Sequence, residues 1–393
     1  MSRPGPALAI TSLTTTSAAL PGFLIGALGV QLREDLGFGR GTLGAAVAAF
    51  FAAAACFSFV GGRAAERHGP DRTLRATLAG SFAGYFAVAL FAAGPLSLCV
   101  LAALCGVANG LTQPGVNTLI FRAVPADRLG VAFAVKQSAI PATTLIGGVS
   151  VPLFGETIGW RWAFAVFGLL PLIAWSLLPR LEVRSAPVRT VMSDGPPRWR
   201  SLGFLAVGIG LGAAATGALG AFFVSSAVDF GIGRSAAGWL AAAGSATCIA
   251  VRLIVGRRID RSGADPLRLC ASMLLIGAAA NAVIALGTPT AIVAMTAVVF
   301  GVGWGWAGLF NLAIVRLNPD APGVATGITQ TGTYVGAGAG PLLFGWIADN
   351  FSTERAWVAA ASLALVAAAA ILVGGRLARG GRLAATDMVS TMR

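Results

Sequence analysis

Gly62-Arg-Ala-Ala-Glu-Arg-His-Gly-Pro-Asp-Arg-Thr-Leu-Arg75 is a charged stretch set between two long apolar runs, and the chain carries it twice. Gly62, Glu66, Arg67 and Gly69 are answered 194 positions later by Gly256, Asp260, Arg261 and Gly263. Working outward, Asp35, Gly37, Gly39, Arg40 and Gly44 return as Asp229, Gly231, Gly233, Arg234 and Gly238, and Asn117 and Arg122 as Asn311 and Arg316, at the same offset. After a one-residue deletion, Gly130-Val-Ala and Gln137 return as Gly323-Val-Ala and Gln330. Chance does not hold one register over so many runs, so the 393-residue chain is an internal duplication.

With 56% hydrophobic residues, 11% charged residues and a mean hydropathy of +0.80, the chain is too apolar for a soluble domain. A helical span needs about 20 mostly apolar residues, and the runs supply twelve: 7–32, 42–62, 74–94, 96–121, 131–155, 162–179, 202–228, 236–256, 267–287, 290–315, 324–347 and 357–374. Unpaired backbone polar groups are not tolerated in lipid, which makes these runs helices. The expected fold is an all-α integral membrane protein of two pseudo-symmetric six-helix halves, 1–179 and 201–374, with a linker at 180–200 and a tail at 375–393. Gly94-Pro95 and Gly287-Thr288-Pro289 predict tight hairpins. The first run, Ala7 to Leu32, is too long for the apolar part of a secretory signal and reads as the first span.

A net charge of +13 and a pI near 11.3 would point to nucleic acid in a soluble chain. Here topology accounts for the charge. With the N-terminus inside, 22 arginines fall in inner segments and 5 in outer ones, which predicts a multi-pass protein of a bacterial inner membrane with both termini cytoplasmic. The partners expected are therefore the lipid bilayer and a small solute, not nucleic acid, and one chain suffices as a monomer. The five cysteines lie in apolar runs without metal-ligand spacing and read as small core hydrophobes. No metal or cofactor is expected.

At Gly62, Arg67, Gly69 and Arg72 the sequence resembles the major facilitator superfamily of secondary transporters, whose loop between helices 2 and 3 carries Gly-x-x-x-Asp-Arg-x-Gly-Arg; Glu66 stands in place of the usual Asp. The resemblance covers essentially the whole chain. It implies parallel halves with the solute bound between them near mid-membrane, and a conformational role for the charged loops. Carboxylate–arginine pairs at helix ends lock one arrangement of two halves and release it in another. The gating residues expected are Gly62, Glu66, Arg67, Gly69, Arg72, Arg122, Asp260, Arg261, Gly263 and Arg316, with Glu66 pairing Arg122 and Asp260 pairing Arg316. The alternative is a solvated basic loop that serves topology alone.

The duplication is most informative where it fails. Lys136 aligns with Thr329 and Arg252 with Ser58, so both cations are unmatched. Ionisable groups inside a membrane face a cavity or a partner, and no Asp or Glu lies deep in a predicted span. Uncompensated positive charge favours an anionic solute that completes the pair; snorkelling to the headgroups is the alternative. The Arg252-Leu-Ile-Val-Gly256 spacing is also similar to the helix-8 arginine of organic-anion carriers such as the monocarboxylate and oxalate/formate exchangers. Gln137 and Gln330, at equivalent places in the halves, join Asn109, Gln113, Asn311, Trp304 and Tyr334 as candidate solute contacts, set against helix packing as the plainer role.

The reading that follows is a secondary carrier working by alternating access on a small organic anion, with a coupling proton or counter-substrate; efflux of drugs or secondary metabolites is the runner-up. Gly106 stands where the family's drug/proton antiporters would place an arginine, and Gly147-Gly148 with Pro152 departs from their span-5 signature. An intramembrane enzyme would need a nucleophile with a base, or metal ligands, and the chain has one histidine, His68, in a charged loop. It is not read as an enzyme.

Overall fold

Proline starts the spans and glycine turns them. Spans 3, 4, 9 and 10 each begin at a proline, Pro70, Pro95, Pro266 and Pro289, where the missing N–H has no intrahelical partner to lose. A computed structural model describes residues 4–123, 135–178, 199–262, 264–318 and 322–391. In it span 1 is Pro4–Ala27, prolonged by Gly29–Leu36; spans 2 to 4 are Arg40–His68, Pro70–Phe91 and Pro95–Ala123. Span 5 runs through Ala139–Ser150 into a π-turn at Val151–Gly155, and span 6 is Trp160–Phe167 with Leu170–Leu177. Spans 7 to 9 are Trp199–Asp229, Arg234–Ser262 and Pro266–Ile284; spans 11 and 12 are Pro322–Asn350 and Thr353–Thr391.

Span 10 departs from the uninterrupted run expected. Gly301-Val-Gly-Trp-Gly-Trp306 divides it into Pro289–Gly301 and Ala307–Leu317. Alternating glycines weaken a helix, and a Cβ at Gly305 would lie 2.3 Å from the Gly301 carbonyl oxygen, so this path admits only glycine there. Span 12 also runs further than 357–374, as one helix to Thr391 through the region read as a tail. Ten described helices are long and apolar enough to cross a membrane. Span 11 is less apolar because of its glycines and threonines, but its 29 residues reach about 43 Å at about 1.5 Å per residue. Among the cysteines Cys56 is exposed, a correction to its reading as core; Cys105, Cys248 and Cys270 are buried.

Both termini lie at one face of the bundle, and the loops after spans 1, 3, 5, 7, 9 and 11 lie at the far face. Buried apolar residues gather into three groups. The largest occupies the far-face end of the bundle and runs without interruption across both halves, from Leu20, Leu24, Phe50 and Phe164 to Phe222, Phe300 and Trp357. The other two lie toward the termini face and each belongs to one half, Leu74, Val116 and Ile120 in the first, Leu205, Leu274 and Ile371 in the second. Burial drives association roughly in proportion to apolar area, so the halves are joined at the far face and have separate cores toward the termini.

Two seams make the far-face join, between spans 2 and 11 and between spans 5 and 8. They are copies of each other under the duplication. A Cβ at Gly44 would stand 2.4 Å from the Pro341 carbonyl oxygen, and one at the equivalent Gly238 would stand 2.5 Å from that of Gly148. Missing side chains let backbone meet backbone.

Candidate functional site

Arg252 sits on span 8, half-buried, and reaches across the interface. Its Nη1 donates to the Gln137 carbonyl at 2.7 Å and its Nη2 to the Trp304 carbonyl at 2.9 Å. Local sequence frees both acceptors. In a helix the Gln137 carbonyl would receive the N–H of residue 141, and residue 141 is proline, which has none. Trp304 lies in the glycine break of span 10, where the regular ladder stops. Cys248 lies one turn earlier on the same helix, and Nε is buried without a partner.

Lys136 is the neighbour of Gln137 and is buried, at 7% exposure. Its Nζ donates to Asn117 Oδ1 of span 4 at 3.0 Å. Neither cation takes part in an ion pair among the described residues, although burial of an unpaired charge is costly. Arg252, Gln137 and Trp304 are thus brought together, with Lys136 one residue away along the chain.

The matching place in the other seam is neutral. Ser58, the counterpart of Arg252, is a neighbour of Tyr334, the counterpart of Pro141, and Gln330 lies one turn before Tyr334. Equivalent positions on the two seams are therefore polar, with a cation in one and uncharged groups in the other. Gln113 Nε2 and Asn109 Oδ1 lie 3.4 Å apart on span 4, and Asn311 is half-buried on span 10. Trp304 is less available than its sequence position implies. Phe23 of the first half stacks on it at 6.2 Å and 28°, and Phe300 lies 6.0 Å away.

Of the expected gating residues, Gly62 is half-buried on span 2 and Arg67, Arg72 and Arg316 are exposed toward the termini face. Gly69 joins spans 2 and 3 at φ +83° and ψ 156°, a backbone conformation that side chains resist. Gly263, residues 180–198 of the linker and the side chains of Glu66, Arg122, Asp260 and Arg261 lie outside the described residues, and with them the two expected pairs. The termini-face ion pairs described here join residues within one half. Asp71 pairs with Arg75 at 3.2 Å, and Arg75 also reaches the Leu178 carbonyl; the equivalent Asp265 caps span 9 and pairs with Arg379 of span 12.

At the far face two ion pairs cross between the halves, while Asp35 and Arg161 pair within the first. Arg40 of span 2 donates to Asp229 of span 7 at 2.6 Å, and Arg234 of span 8 donates to Glu34 at the end of span 1. The donors Arg40 and Arg234 are equivalent but the acceptors are not: the counterpart of Asp229 is Asp35, and Arg234 takes its neighbour Glu34. Sequence reasoning missed them; the signal was the repeat of Asp35 and Arg40 as Asp229 and Arg234. Burial, and then the like charge of Arg40, lowers the Arg33 guanidinium below its ordinary value, though arginine stays charged.

The family described as Major Facilitator Superfamily matches residues 8–205 and again 205–386, once for each half. A chloramphenicol resistance protein of Streptomyces lividans is 29% identical over 342 residues, 82% of this chain and 83% of that one. A putative tartrate transporter of Agrobacterium vitis is 24% identical over 403 residues, 92% and 91% of the two chains. Among solved structures, a bacterial homologue of the human lysosomal transporter Spinster, inward-facing and unoccupied, superposes with a TM-score of 0.77 at 15% identity, covering 96% of this chain and 98% of that one.

Proposed function

The chain belongs to the Major Facilitator Superfamily and is a multi-pass membrane transporter, not an enzyme, and we propose that it carries a small organic anion by alternating access between its halves. The observation that carries this reading is the environment of Arg252 and Lys136. A guanidinium held by two carbonyl dipoles and an ammonium held by one amide oxygen stand without a described carboxylate beside them. A carboxylate solute supplies the missing charge, and the unused Nε–H of Arg252 offers it a further donor. Similarity to the putative tartrate transporter over 91% of its length agrees with an anionic solute.

Gln137, Asn109 and Gln113 from the first half, with Gln330, Tyr334, Asn311 and Trp304 from the second, complete the proposed solute contacts. The continuous far-face core and the separate termini-face cores correspond to the state open toward the termini. The arginine distribution supports cytoplasmic termini in a bacterial inner membrane. A proton or a counter-moving solute is the proposed coupling partner, and a monomer the proposed unit.

Efflux of a neutral drug is a second reading, favoured by the similarity to the chloramphenicol resistance protein over 82% of this chain. Exchange in proteoliposomes separates the two. Vesicles loaded with a hydroxy-dicarboxylate take up labelled dicarboxylate through the wild type, and Arg252→Ala abolishes uptake. Transport of chloramphenicol alone, equal in wild type and Arg252→Ala, would replace the anion reading with the second.

A further inference from the structure

The first turn of span 2 is capped by the other half of the protein. Asp349, at the end of span 11, accepts the backbone N–H of Arg40 at 2.9 Å and that of Gly41. Glycine makes the cradle: a Cβ at Gly39 would stand 2.9 Å from Asp349 Oδ2, and one at Gly41 would stand 3.0 Å from it. The Arg40 side chain meanwhile holds Asp229. Charge-assisted bonds to the open N–H groups of a helix start are among the stronger local contacts a protein makes.

The duplication predicts the same device on the other seam, at Gly233-Arg234-Ser235 with Glu156, the counterpart of Asp349. It is not built there. Glu156 accepts from Gln31 Nε2 at 2.6 Å instead, and nothing beyond its chain neighbours lies within 4 Å of a Cβ placed on Gly233. Ser235 stands where the first cradle has Gly41. The cap is therefore particular to spans 2 and 11, and its loss in one copy of the repeat shows that helix folding alone does not require it.

We infer that Asp349 is a gating residue of the transport cycle, holding the far face shut by capping span 2 across the interface. Opening that face draws the ends of spans 2 and 11 apart, and the carboxylate leaves the cradle. The two N–H groups then lose their acceptor. The cap exists in only one of the two states and so biases the balance between them. The inference rests on the alternating-access part of the proposed function and makes no use of the solute's charge.

The test follows a buried reporter. Ser226 is 1% exposed and lies one turn before Asp229. With the five native cysteines replaced, Ser226→Cys in purified protein reacts with a maleimide only when the far face opens. Asp349→Asn, which keeps shape and loses charge, raises the labelling rate about tenfold while the thermal midpoint holds. Gly41→Ser, which copies the second cradle, moves the rate the same way and decides the matter if Asp349→Asn does not fold. Labelling of both variants within about twofold of the parent would overturn the inference. A wrong solute class leaves these rates unchanged, so the two failures are told apart.

Discussion

The Arg252 guanidinium donates to the Gln137 carbonyl at 2.7 Å, an acceptor that Pro141 leaves unbonded within its own helix. A cation of one half is thereby fastened to the backbone of the other, directly beside Lys136. Lysine at this position keeps the charge but has no planar fork to span the Gln137 and Trp304 carbonyls. Arg252→Lys is expected to bind an organic anion about tenfold more weakly, and Arg252→Ala a further tenfold or more, as charged hydrogen bonds of about 1.5–3 kcal/mol are lost. Titration calorimetry with the anion exchanged best by the wild type checks both steps.

Lys136 predicts a separation of stability from function. Lys136→Met removes a buried charge and the cost of desolvating it, while leaving Asn117 Oδ1 without its donor, at about 1–3 kcal/mol. These terms oppose each other. Thermal unfolding of Lys136→Met is expected at or above the wild-type midpoint, with the anion-induced rise in midpoint gone.

Duplication made the membrane architecture legible. Apolar length gave twelve runs and the register of Gly62 and Gly256 divided them into two sets of six, and the hairpins predicted at Pro95 and Pro289 begin spans 4 and 10 as expected. The break in span 10 was hidden because glycine and tryptophan left the run apolar on average. The role of Pro141 was open to inference from the i to i−4 bond it removes. Which half Arg40 would choose as partner was not, because Asp35 and Asp229 are equivalent in sequence and only packing brings Asp229 to it. Asp35 pairs with Arg161 in its own half.

The seam glycines predict a graded response. A Cβ at Gly44 or Gly148 would meet a facing carbonyl oxygen at 2.4 or 2.6 Å, whereas nothing lies within 4 Å of one at Gly203. Gly44→Ala and Gly148→Ala are expected to destabilise the far-face closure by about 1–3 kcal/mol. Gly203→Ala is expected to be neutral or mildly stabilising. Ser226→Cys labelling in each background orders the three.

Gly62 and Gly69 belong to one motif but predict opposite outcomes. Gly69 has φ +83°, so Gly69→Ala is expected to lose about 1–3 kcal/mol. Gly62 lies within a helix, and a Cβ there would have Pro114 Cβ as its nearest neighbour, at 4.0 Å, so Gly62→Ala is expected to gain up to about 1 kcal/mol. Thermal midpoints of the purified variants distinguish the conformational need at Gly69 from a general intolerance of the motif.

The most direct measurement of the central claim is a thermal-stabilisation screen of the purified protein, with organic carboxylates set against neutral amides, amines and hydrophobic drugs, on wild type, Arg252→Ala and Lys136→Ala. An anion carrier with a two-cation site predicts saturable stabilisation by one carboxylate class that disappears in both variants. Stabilisation by uncharged compounds alone, unchanged in the variants, would contradict it.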